Sequence, residues 1–303
     1  MATRGHNPRA NNEGYIGRPG KQWLEVNAKT VNIDGVDIKE AVTGGQYALI
    51  PNMIHSAAMH NGLYRGKNLT EYFESGRMSA DIANGTFANI YIGDYINKAI
   101  TVDGITYNVK WEVADLDYFL HSGDAETTAH HAVMFPSVTV QTNVPMNDTN
   151  TTAGGFKGSK MWGDTIPLYV TGIKAAFGAD HVLTHRELLT KTVDVNADSA
   201  AGAGWKGSAT DWEWTDVDVN IPSEPMIYGT AVFGSSGFDV GNKEKQLAIF
   251  RFKKFSEGRK WFWLQAVASS SRFANALLSG SAAFNDASSS DADGGVRPYF
   301  LLR

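Results

Sequence analysis

The C-terminal segment, residues 261–303, constrains the fold of this chain most strongly. Residues 261–267 are mostly large and apolar, residues 268–294 are mostly Ser, Ala, Asn, Asp and Gly, and residues 295–302 return to an apolar pattern. A low-complexity polar run is normally a flexible tail. Because strand-like segments bracket this one on both sides, we expect a surface that is displayed on a rigid frame. Binding residues commonly lie on loops held in this way.

The composition is that of a globular protein rich in strands and loops. The chain has 303 residues, of which 43% are hydrophobic and 31 are Gly, which is enough for a sizeable core. A net charge of −5 and a pI near 5.9 argue against a nucleic-acid partner, which would require concentrated Lys and Arg. No apolar run reaches the roughly 18–20 residues that span a bilayer, and residues 1–10 lack the apolar core of a secretion signal. We therefore expect no membrane insertion.

Cysteine is absent from the sequence. This excludes disulfides, thiolate metal sites and cysteine nucleophiles, and it suits assembly in a reducing cytoplasm. The hydrolase motifs G-x-S-x-G and H-E-x-x-H are also absent. We predict that the chain is not an enzyme.

Alternating apolar positions mark the clearest strand. Tyr107, Val109, Trp111 and Val113 fall at every second residue with polar residues between them, which is typical of a half-buried strand. The turn residues 103–104, Asp-Gly, precede this strand and predict a β-hairpin. Further strands are predicted at 132–135, 212–219, 246–252 and 261–267.

Two regions predict helices. Ile166–Phe177 reads as a short helix that ends at Gly178, because Gly is favoured just past a helix end. Helical spacing also occurs around residues 46–63, with a further helix near Thr70. The predicted class is α+β, with mixed or antiparallel strands, two or so short helices and much loop. We expect an N-terminal arm or attachment segment over residues 1–60, flexible to about residue 20, and one large domain over residues 61–303.

Histidines and carboxylates in the middle of the chain raise the question of a metal. His130 and His131, together with His121, are candidate metal ligands. Because His130 and His131 are adjacent, on a strand they point to opposite faces, which favours a structural role over a shared ion. Asp115 and Asp117 lie two residues apart, with Asp124 and Glu126 close by. A solvated acidic edge is favoured there; calcium is the alternative, although the EF-hand pattern is missing.

Three other patterns in the sequence predict structural rather than catalytic or ligand-binding roles. Asp211, Glu213, Asp216 and Asp218 flank two tryptophans and are predicted to face outward from a strand rather than to act as paired glycosidase carboxylates. Residues 154–160 are glycine-rich but lack the Gly-Lys-Ser/Thr order of a phosphate loop. Arg297 lies in an apolar terminal segment, so its guanidinium is predicted to bind carbonyl or carboxylate partners in the interior.

Several blocks of the sequence resemble one family. The order Trp263-Leu264, then residues 268–274, Gly280, residues 287–288, and the closing Gly-Val-Arg-Pro-Tyr-Phe of residues 295–300 resembles the C-terminal variable region of target proteins of diversity-generating retroelements. Residues 59–67, 92–95, 130–131 and 146–151 also look like proteins of tailed phages and prophages. The resemblance runs from about residue 55 to the end of the chain and does not cover residues 1–45.

The resemblance implies a C-type-lectin-like fold that displays hypervariable residues between 268 and 294. Trp263, Phe273, Gly280, Ala287 and Arg297 would belong to a fixed frame. The ligand-binding residues that it implies are Ser271, Arg272, Ala274, Asn275, Leu277, Leu278, Ser281, Ala283, Phe284, Asn285, Asp286, Ser288 and Asp291. This segment has no Tyr or Trp, the residues that usually dominate binding energy. We therefore expect weak affinity per copy, raised by many copies on one particle.

The first functional hypothesis is a virion-surface or tail-tip protein of a bacteriophage that binds a bacterial surface protein or glycan. Residues 1–60 would attach it to other virion proteins, and assembly would take place in the cytoplasm of the host bacterium. The resemblance also favours a homotrimer. The second hypothesis is a head or neck decoration protein without a specific ligand. The third is a carbohydrate-active enzyme. Formylglycine-generating enzymes share the fold, but their active site depends on cysteine. No cofactor is expected, apart from the calcium alternative.

Overall fold

The chain divides into two compact units, residues 1–51 and 52–303. The computed structural model describes residues 55–194, 209–234, 245–254 and 258–303, together with two short strands in the first unit. These are β1 (Asn32–Ile33) and β2 (Val36–Asp37), which pair antiparallel. The expected flexible arm and residues 46–54 of the expected helical region lie outside the described residues. The domain boundary at residue 60 stays a prediction.

The second unit is α+β, with mostly antiparallel sheets and short helices, as the sequence predicted at that level. Its helices are α1 (Ala57–His60), α2 (Thr70–Glu74), α3 (Arg77–Ala83), α4 (Ile166–Phe177) and α5 (Glu224–Tyr228). A π-helical turn at Met161–Thr165 leads into α4, and 3₁₀ turns occur at Ala179–His181 and Ala248–Arg251. The strands are β3 (Tyr95–Val102), β4 (Ile105–Leu116), β5 (Ala132–Pro136), β6 (Gln141–Thr142), β7 (His185–Val193), β8 (Ala209–Val217), β9 (Val219–Asn220), β10 (Trp261–Val267), β11 (Arg272–Ala276), β12 (Ala282–Asp286), β13 (Gly294–Val296) and β14 (Tyr299–Leu302).

The central sheet has the order β3-β4-β5-β14-β9 and is antiparallel throughout. The predicted hairpin is confirmed, with β3 and β4 joined at residues 103–104. The predicted helix is confirmed as α4, which ends at Gly178 with φ +93°. Phe177, at the end of α4, packs against Phe300 of β14 with ring centroids 4.8 Å apart, and Trp111 of β4 meets Phe300 at 5.3 Å. An aromatic cluster therefore ties α4 to the middle of the sheet.

The second sheet, which we call the C-terminal sheet, has the order β12-β11-β10-β13-β6. Only the pair β10–β13 is parallel. β13 belongs to this sheet and β14 to the central one, so the chain crosses between the sheets at residues 297–298. The hairpin β7–β8 forms a separate two-stranded sheet.

Arg297 lies at this crossing and is buried. Its Nε donates to the carbonyl oxygen of Pro136 and its Nη2 to that of Ser137, each at 2.9 Å. The guanidinium carbon also lies 4.4 Å from the ring centroid of Phe135 and 5.0 Å from that of Phe262. The prediction that this side chain binds carbonyl partners in the interior agrees with these contacts.

Two predictions about strands are wrong. Residues 246–252 were expected to be a strand, but Ala248–Arg251 is a 3₁₀ turn. The Asp115 carboxylate accepts the N–H of Ala248 at 2.9 Å, and Lys253 pairs with Glu112 at 2.6 Å. These two carboxylates of β4 hold the turn against the sheet. For the same reason Glu112 is buried, although the alternation of β4 placed it on the solvent face.

Candidate ligand-binding surface

The expected ligand-facing segment contains a β-hairpin that we call the display hairpin, residues 272–286. It consists of β11, β12 and the turn between them. β11 pairs antiparallel with β10, and β12 pairs only with β11 at the edge of the C-terminal sheet. β10 is anchored below it, because the indole Nε1 of the buried Trp263 donates to the carbonyl oxygen of Val144 at 2.8 Å.

Two residues of the hairpin have placements typical of a frame. Phe273 is fully buried. Gly280 lies in the turn with φ +90°, a conformation that side-chain-bearing residues rarely adopt, and its N–H donates to the carbonyl oxygen of Leu277 at 2.9 Å. The core contact and the glycine turn fix the path of the hairpin without using its exposed side chains.

Most of the ligand-binding residues implied by the resemblance are accessible to solvent. Leu278, Ser281 and Asp291 are exposed. The partly exposed members are Ser271, Arg272, Leu277, Ala283, Phe284, Asn285, Asp286 and Ser288. The structure brings all of these residues except Asp291 together on the hairpin or at its base. Asp291 lies beside the start of β10, where its Oδ1 accepts from the indole Nε1 of Trp261 at 3.1 Å.

Ala274 and Asn275 are the exceptions, because both are fully buried. They are adjacent on β11, so their side chains point to opposite faces of the C-terminal sheet. Both side chains are buried, so the sheet is covered on both faces at this position. This corrects their place in the displayed set, and we remove both residues from the expected contact surface.

The buried amide of Asn275 lacks the hydrogen bonds that would offset its loss of water. Neither its Nδ2 nor its Oδ1 has a hydrogen-bond partner among the described residues. An unsatisfied buried polar group costs about 1–3 kcal/mol, whereas an apolar side chain of similar shape avoids that cost. A residue chosen for folding alone would be apolar at this position.

We therefore predict that Asn275→Leu stabilises the protein. The free energy of unfolding, measured by urea titration, should rise by about 1 kcal/mol, since an apolar group replaces an unsatisfied amide. Asn285→Leu is the matched control on the partly exposed partner strand and should change it by less than about 0.5 kcal/mol. A loss of stability in Asn275→Leu would show that the amide has a partner.

The base of the hairpin is closed by charged and polar contacts. Arg272 and Asp286 are opposite each other in the register, and Nε of Arg272 lies 2.9 Å from Oδ1 of Asp286. Asn150 approaches from a distant loop and donates to Oδ2 of Asp286 at 3.1 Å. Its Oδ1 also accepts from the backbone N–H and the hydroxyl of Ser288. A ligand that used Arg272, Asp286 or Ser288 would compete with these internal contacts.

The loop that carries Asn150 fastens the hairpin at further points. The N–H of Thr152 donates to the carbonyl oxygen of Ser270 at 3.0 Å, and its hydroxyl donates to that of Ser269 at 2.7 Å. The N–H of Asn147 donates to the carbonyl oxygen of Ala287 at 2.9 Å. Sequence reasoning placed residues 146–151 in a resembling block but gave them no role at the site. The resemblance of residues 146–151 to phage proteins was the only sequence signal for this loop, and it did not indicate which residues the loop contacts.

The carboxylates considered for calcium have separate partners. Asp115 is buried, which raises the pKa of its carboxyl group, and it accepts from Asn61 at 3.1 Å. The expectation that it lies on a solvated edge is wrong, because α1 and the 3₁₀ turn cover it. Asp117 binds His130 at 2.8 Å and Asp124 binds Arg186 at 2.7 Å. In the described parts of the chain, no group of three or more His, Cys, Asp or Glu side chains is arranged to hold a metal ion.

His131 is a buried neutral histidine. Its Nε2 accepts the N–H of Phe119 at 3.0 Å, and Nδ1 lies 3.0 Å from the carbonyl oxygen of Ala129. Burial lowers the pKa of its imidazole from 6.5 to about 3. The folded protein therefore resists protonation at a pH where the unfolded chain already binds a proton.

We predict a loss of stability on mild acidification. Above pH 6.5 His131 is neutral in both states; below it the unfolded chain gains the proton first, so folding stability falls until the pH approaches the folded-state pKa of about 3. Between pH 6.5 and 5 the loss should be about 1.5 kcal/mol. Urea unfolding of the wild type and of His131→Gln at both pH values isolates this contribution, because other groups cancel in the difference. An unchanged pH dependence in His131→Gln would contradict the assignment.

Three of the four acidic residues that flank the tryptophans face outward, as the sequence predicted. Asp211, Glu213 and Asp216 of β8 are exposed and pair with Lys191, Lys157 and Arg186 respectively. Asp218, which follows β8, is only partly exposed, because Lys174 and Thr184 donate to its carboxylate. These exposed pairs are typical of a solvated strand face. The glycine-rich residues 154–160 form turns beside them.

A buried polar network inside the domain was missed by sequence reasoning. Glu187 of β7 accepts from His185 at 3.0 Å, from Gln265 at 3.0 Å and from Asn220 at 3.3 Å, and it also bonds the hydroxyl of Tyr299. Burial alone would raise the pKa of Glu187, but the hydrogen bonds from His185, Tyr299 and Gln265 outweigh it and lower the pKa. The carboxylate therefore links β7, β9, β10 and β14. His185 lies two residues away on the same strand, but Asn220, Gln265 and Tyr299 are distant in sequence, so no local motif marks the network.

Comparison of the chain with protein-family models, with curated proteins and with solved structures finds no match. Within the described parts of the chain, no helix has the length and apolarity required to cross a membrane. The functional assignment therefore depends on the residues of this chain and on their arrangement.

Proposed function

We propose that this chain is a phage virion-surface or tail-tip protein that binds a bacterial surface ligand through an exchangeable surface on the display hairpin. In this proposal it belongs to the variable proteins of diversity-generating retroelements and has a C-type-lectin-like domain. It acts by binding and not by catalysis. Residues of the N-terminal unit attach it to other virion proteins, and several copies, as in a homotrimer, raise a weak affinity.

One observation carries the proposal: the accessible side chains of the hairpin are not the groups that hold the hairpin in place. Leu278 and Ser281 are exposed at the turn, and Ala283 and Asn285 are partly exposed on β12. The path of the hairpin depends instead on backbone pairing, on the buried Phe273 and on the loop that carries Asn150. Such a division lets side chains change while the fold is kept.

The burial of Asn275 supports the same interpretation. A buried amide without a partner is unfavourable for folding. The resemblance to variable proteins of diversity-generating retroelements implies that template adenines are mutated during reverse transcription, so that asparagine codons are a common starting point. An asparagine retained in the interior at a cost to stability is consistent with that origin.

A library selection tests the proposal without knowledge of the natural ligand. The full chain would be displayed on yeast with random codons at six accessible positions: Ser271, Leu277, Leu278, Ser281, Ala283 and Asn285. A matched library would randomise six accessible positions of the β3–β4 hairpin: Asn97, Ala99, Thr101, Ile105, Thr106 and Asn108. Both libraries would be selected against immobilised lysozyme as a probe protein and against immobilised maltoheptaose as a probe glycan.

We expect most members of the display-hairpin library to remain folded, as judged by resistance to protease, and to yield specific binders. The β3–β4 library should yield fewer binders, because its positions lie on an ordinary solvent face. Misfolding of most display-hairpin variants, or an equal yield from the two libraries, would contradict the proposal and favour the decoration protein without a specific ligand.

A further inference from the structure

A lysine, an asparagine and an aspartate from three separate parts of the chain meet at one buried carboxylate oxygen. Asp115 lies on β4, Asn61 directly follows α1, and Lys245 precedes the 3₁₀ turn at Ala248–Arg251. The Nδ2 of Asn61 donates to Oδ1 of Asp115 at 3.1 Å, and Nζ of Lys245 lies 3.5 Å from the same oxygen. An amine, a carboxamide and a carboxyl group are the three groups required to join a lysine to an asparagine through an amide bond.

The carboxamide of Asn61 is buried and held in one orientation. Its Oδ1 accepts the backbone N–H of Leu116 at 2.8 Å, and its Nδ2 donates to the carbonyl oxygen of Leu116 at 2.9 Å. A backbone N–H aimed at an amide oxygen stabilises the negative charge that develops there when a nucleophile attacks the amide carbon. The nitrogen that would leave is the atom that contacts Asp115.

The carboxyl group of Asp115 can exchange protons with both nitrogens, because the same oxygen contacts both of them. Its other oxygen accepts the N–H of Ala248 at 2.9 Å, which fixes the plane of the group. Asp115 is fully buried, and burial raises the pKa of its carboxyl group. A carboxyl group in this position can accept a proton from an attacking amine and give one to a leaving group.

The amine of Lys245 is held beside this carboxyl group by Tyr118. Its Nζ lies 4.8 Å from the ring centroid of Tyr118, and the hydroxyl of Tyr118 donates to the carbonyl oxygen of Lys245 at 2.6 Å. A lysine amine becomes nucleophilic when it loses a proton, and the adjacent carboxylate of Asp115 can accept that proton. Because the side chain of Lys245 is partly exposed, a small leaving molecule can pass to solvent.

We propose that Lys245 and Asn61 form an intramolecular amide bond, with Asp115 as the catalytic residue. The deprotonated Nζ of Lys245 attacks Cγ of Asn61, so that the Nζ–Cγ bond forms and the Cγ–Nδ2 bond breaks. Asp115 takes a proton from Nζ and gives one to Nδ2, which leaves as ammonia. The carboxyl group is regenerated, and the reaction needs no oxidant and no second substrate.

This amide bond provides a covalent constraint in a chain that has no cysteine. Closing a long loop stabilises a fold mainly by restricting the unfolded chain. A disulfide is not available here, and an amide bond gives the same kind of constraint whatever the redox conditions are. The inference is independent of the proposed function, because it involves no residue of the display hairpin.

Intact-mass spectrometry of the purified full chain tests the proposal. After prolonged incubation at neutral pH, the wild type should weigh about 17 Da less than its calculated mass, a difference of one ammonia molecule. A tryptic digest should contain a cross-linked peptide that joins residues 61 and 245. Lys245→Arg keeps the positive charge but removes the nucleophile, so it should have the full mass. Lys253→Arg is the matched control, since Lys253 also pairs with a buried carboxylate, that of Glu112; this variant should still lose ammonia.

A wild-type protein that keeps its full mass would overturn the proposal. Loss of ammonia that persists in Lys245→Arg would also overturn it, because the loss would then occur elsewhere, as in succinimide formation at Asn84-Gly85. Asp115→Asn should slow the loss of ammonia at least about tenfold, and an unchanged rate would remove Asp115 from the reaction. The comparison with Lys245→Arg decides the amide bond whether or not Asp115→Asn folds.

Discussion

Replacing Arg297 with alanine should reduce the free energy of unfolding by about 3–5 kcal/mol, because one buried and one partly buried carbonyl group lose a charged donor and a large side chain leaves a cavity. Arg297 donates to Pro136 and Ser137 from the point where the chain crosses between the two sheets. The rings of Phe135 and Phe262 also lose the cation that they enclose. Domains are typically stable by only 5–15 kcal/mol, so this change removes a large part of the total.

Urea unfolding followed by tryptophan fluorescence measures the effect. Arg303→Ala is the matched control, since Arg303 is exposed and its side chain donates to the carbonyl oxygen of Asp180 at the surface; only a small change in the free energy of unfolding is expected there. Arg297→Lys separates the charge from the geometry. An ammonium cannot reproduce two hydrogen bonds of fixed direction, so the lysine variant should recover part of the loss. An Arg297→Ala protein as stable as the wild type would show that the crossing does not depend on this side chain.

Glu187→Ala should destabilise the fold by a similar amount, about 3–5 kcal/mol. The carboxylate is fully buried and accepts hydrogen bonds from His185, Asn220, Gln265 and Tyr299. Its removal leaves these groups unsatisfied in the interior, where each unsatisfied donor is costly. The network also depends on pH. Because its folded-state pKa is lowered, Glu187 contributes stability above the unfolded-state pKa near 4.5, and this contribution is lost as the pH falls below that value.

Glu213→Ala is the matched control for this prediction. Glu213 lies on β8, the partner strand of β7, and pairs with Lys157 at the surface. An exposed ion pair contributes little to stability, so no measurable change is expected. Equal effects of the two substitutions in urea unfolding would show that the buried network does not stabilise the domain.

Local patterns were sufficient to predict the elements that depend on neighbouring residues. The Asp-Gly turn at residues 103–104 specified the β3–β4 hairpin, and Gly178 marked the end of α4. The apolar run at 261–267 is the buried strand β10. In each case the signal and the structure lie within about a dozen residues of sequence.

The remaining features depend on contacts between distant residues. Residues 246–252 are apolar enough for a strand, but two buried carboxylates of β4 select a 3₁₀ turn. Ala274 and Asn275 have the composition of a surface segment, yet both are buried in the folded protein. The display hairpin and the loop that carries Asn150 consist mainly of small or polar residues whose periodicity is weak. Sequence reasoning placed the expected surface within residues 268–294 and missed the loop that contacts the base of the hairpin.

We expect side chains on the display hairpin to be exchangeable and side chains of the buried frame that supports it not to be. Saturation mutagenesis of residues 261–303 in the full chain, with protease resistance of the displayed protein as the readout, distinguishes the two groups. Leu278, Ser281 and Ala283 should accept nearly all residue types, whereas Trp263, Phe273 and Arg297 should accept very few. Equal intolerance at both groups of positions would contradict the claim.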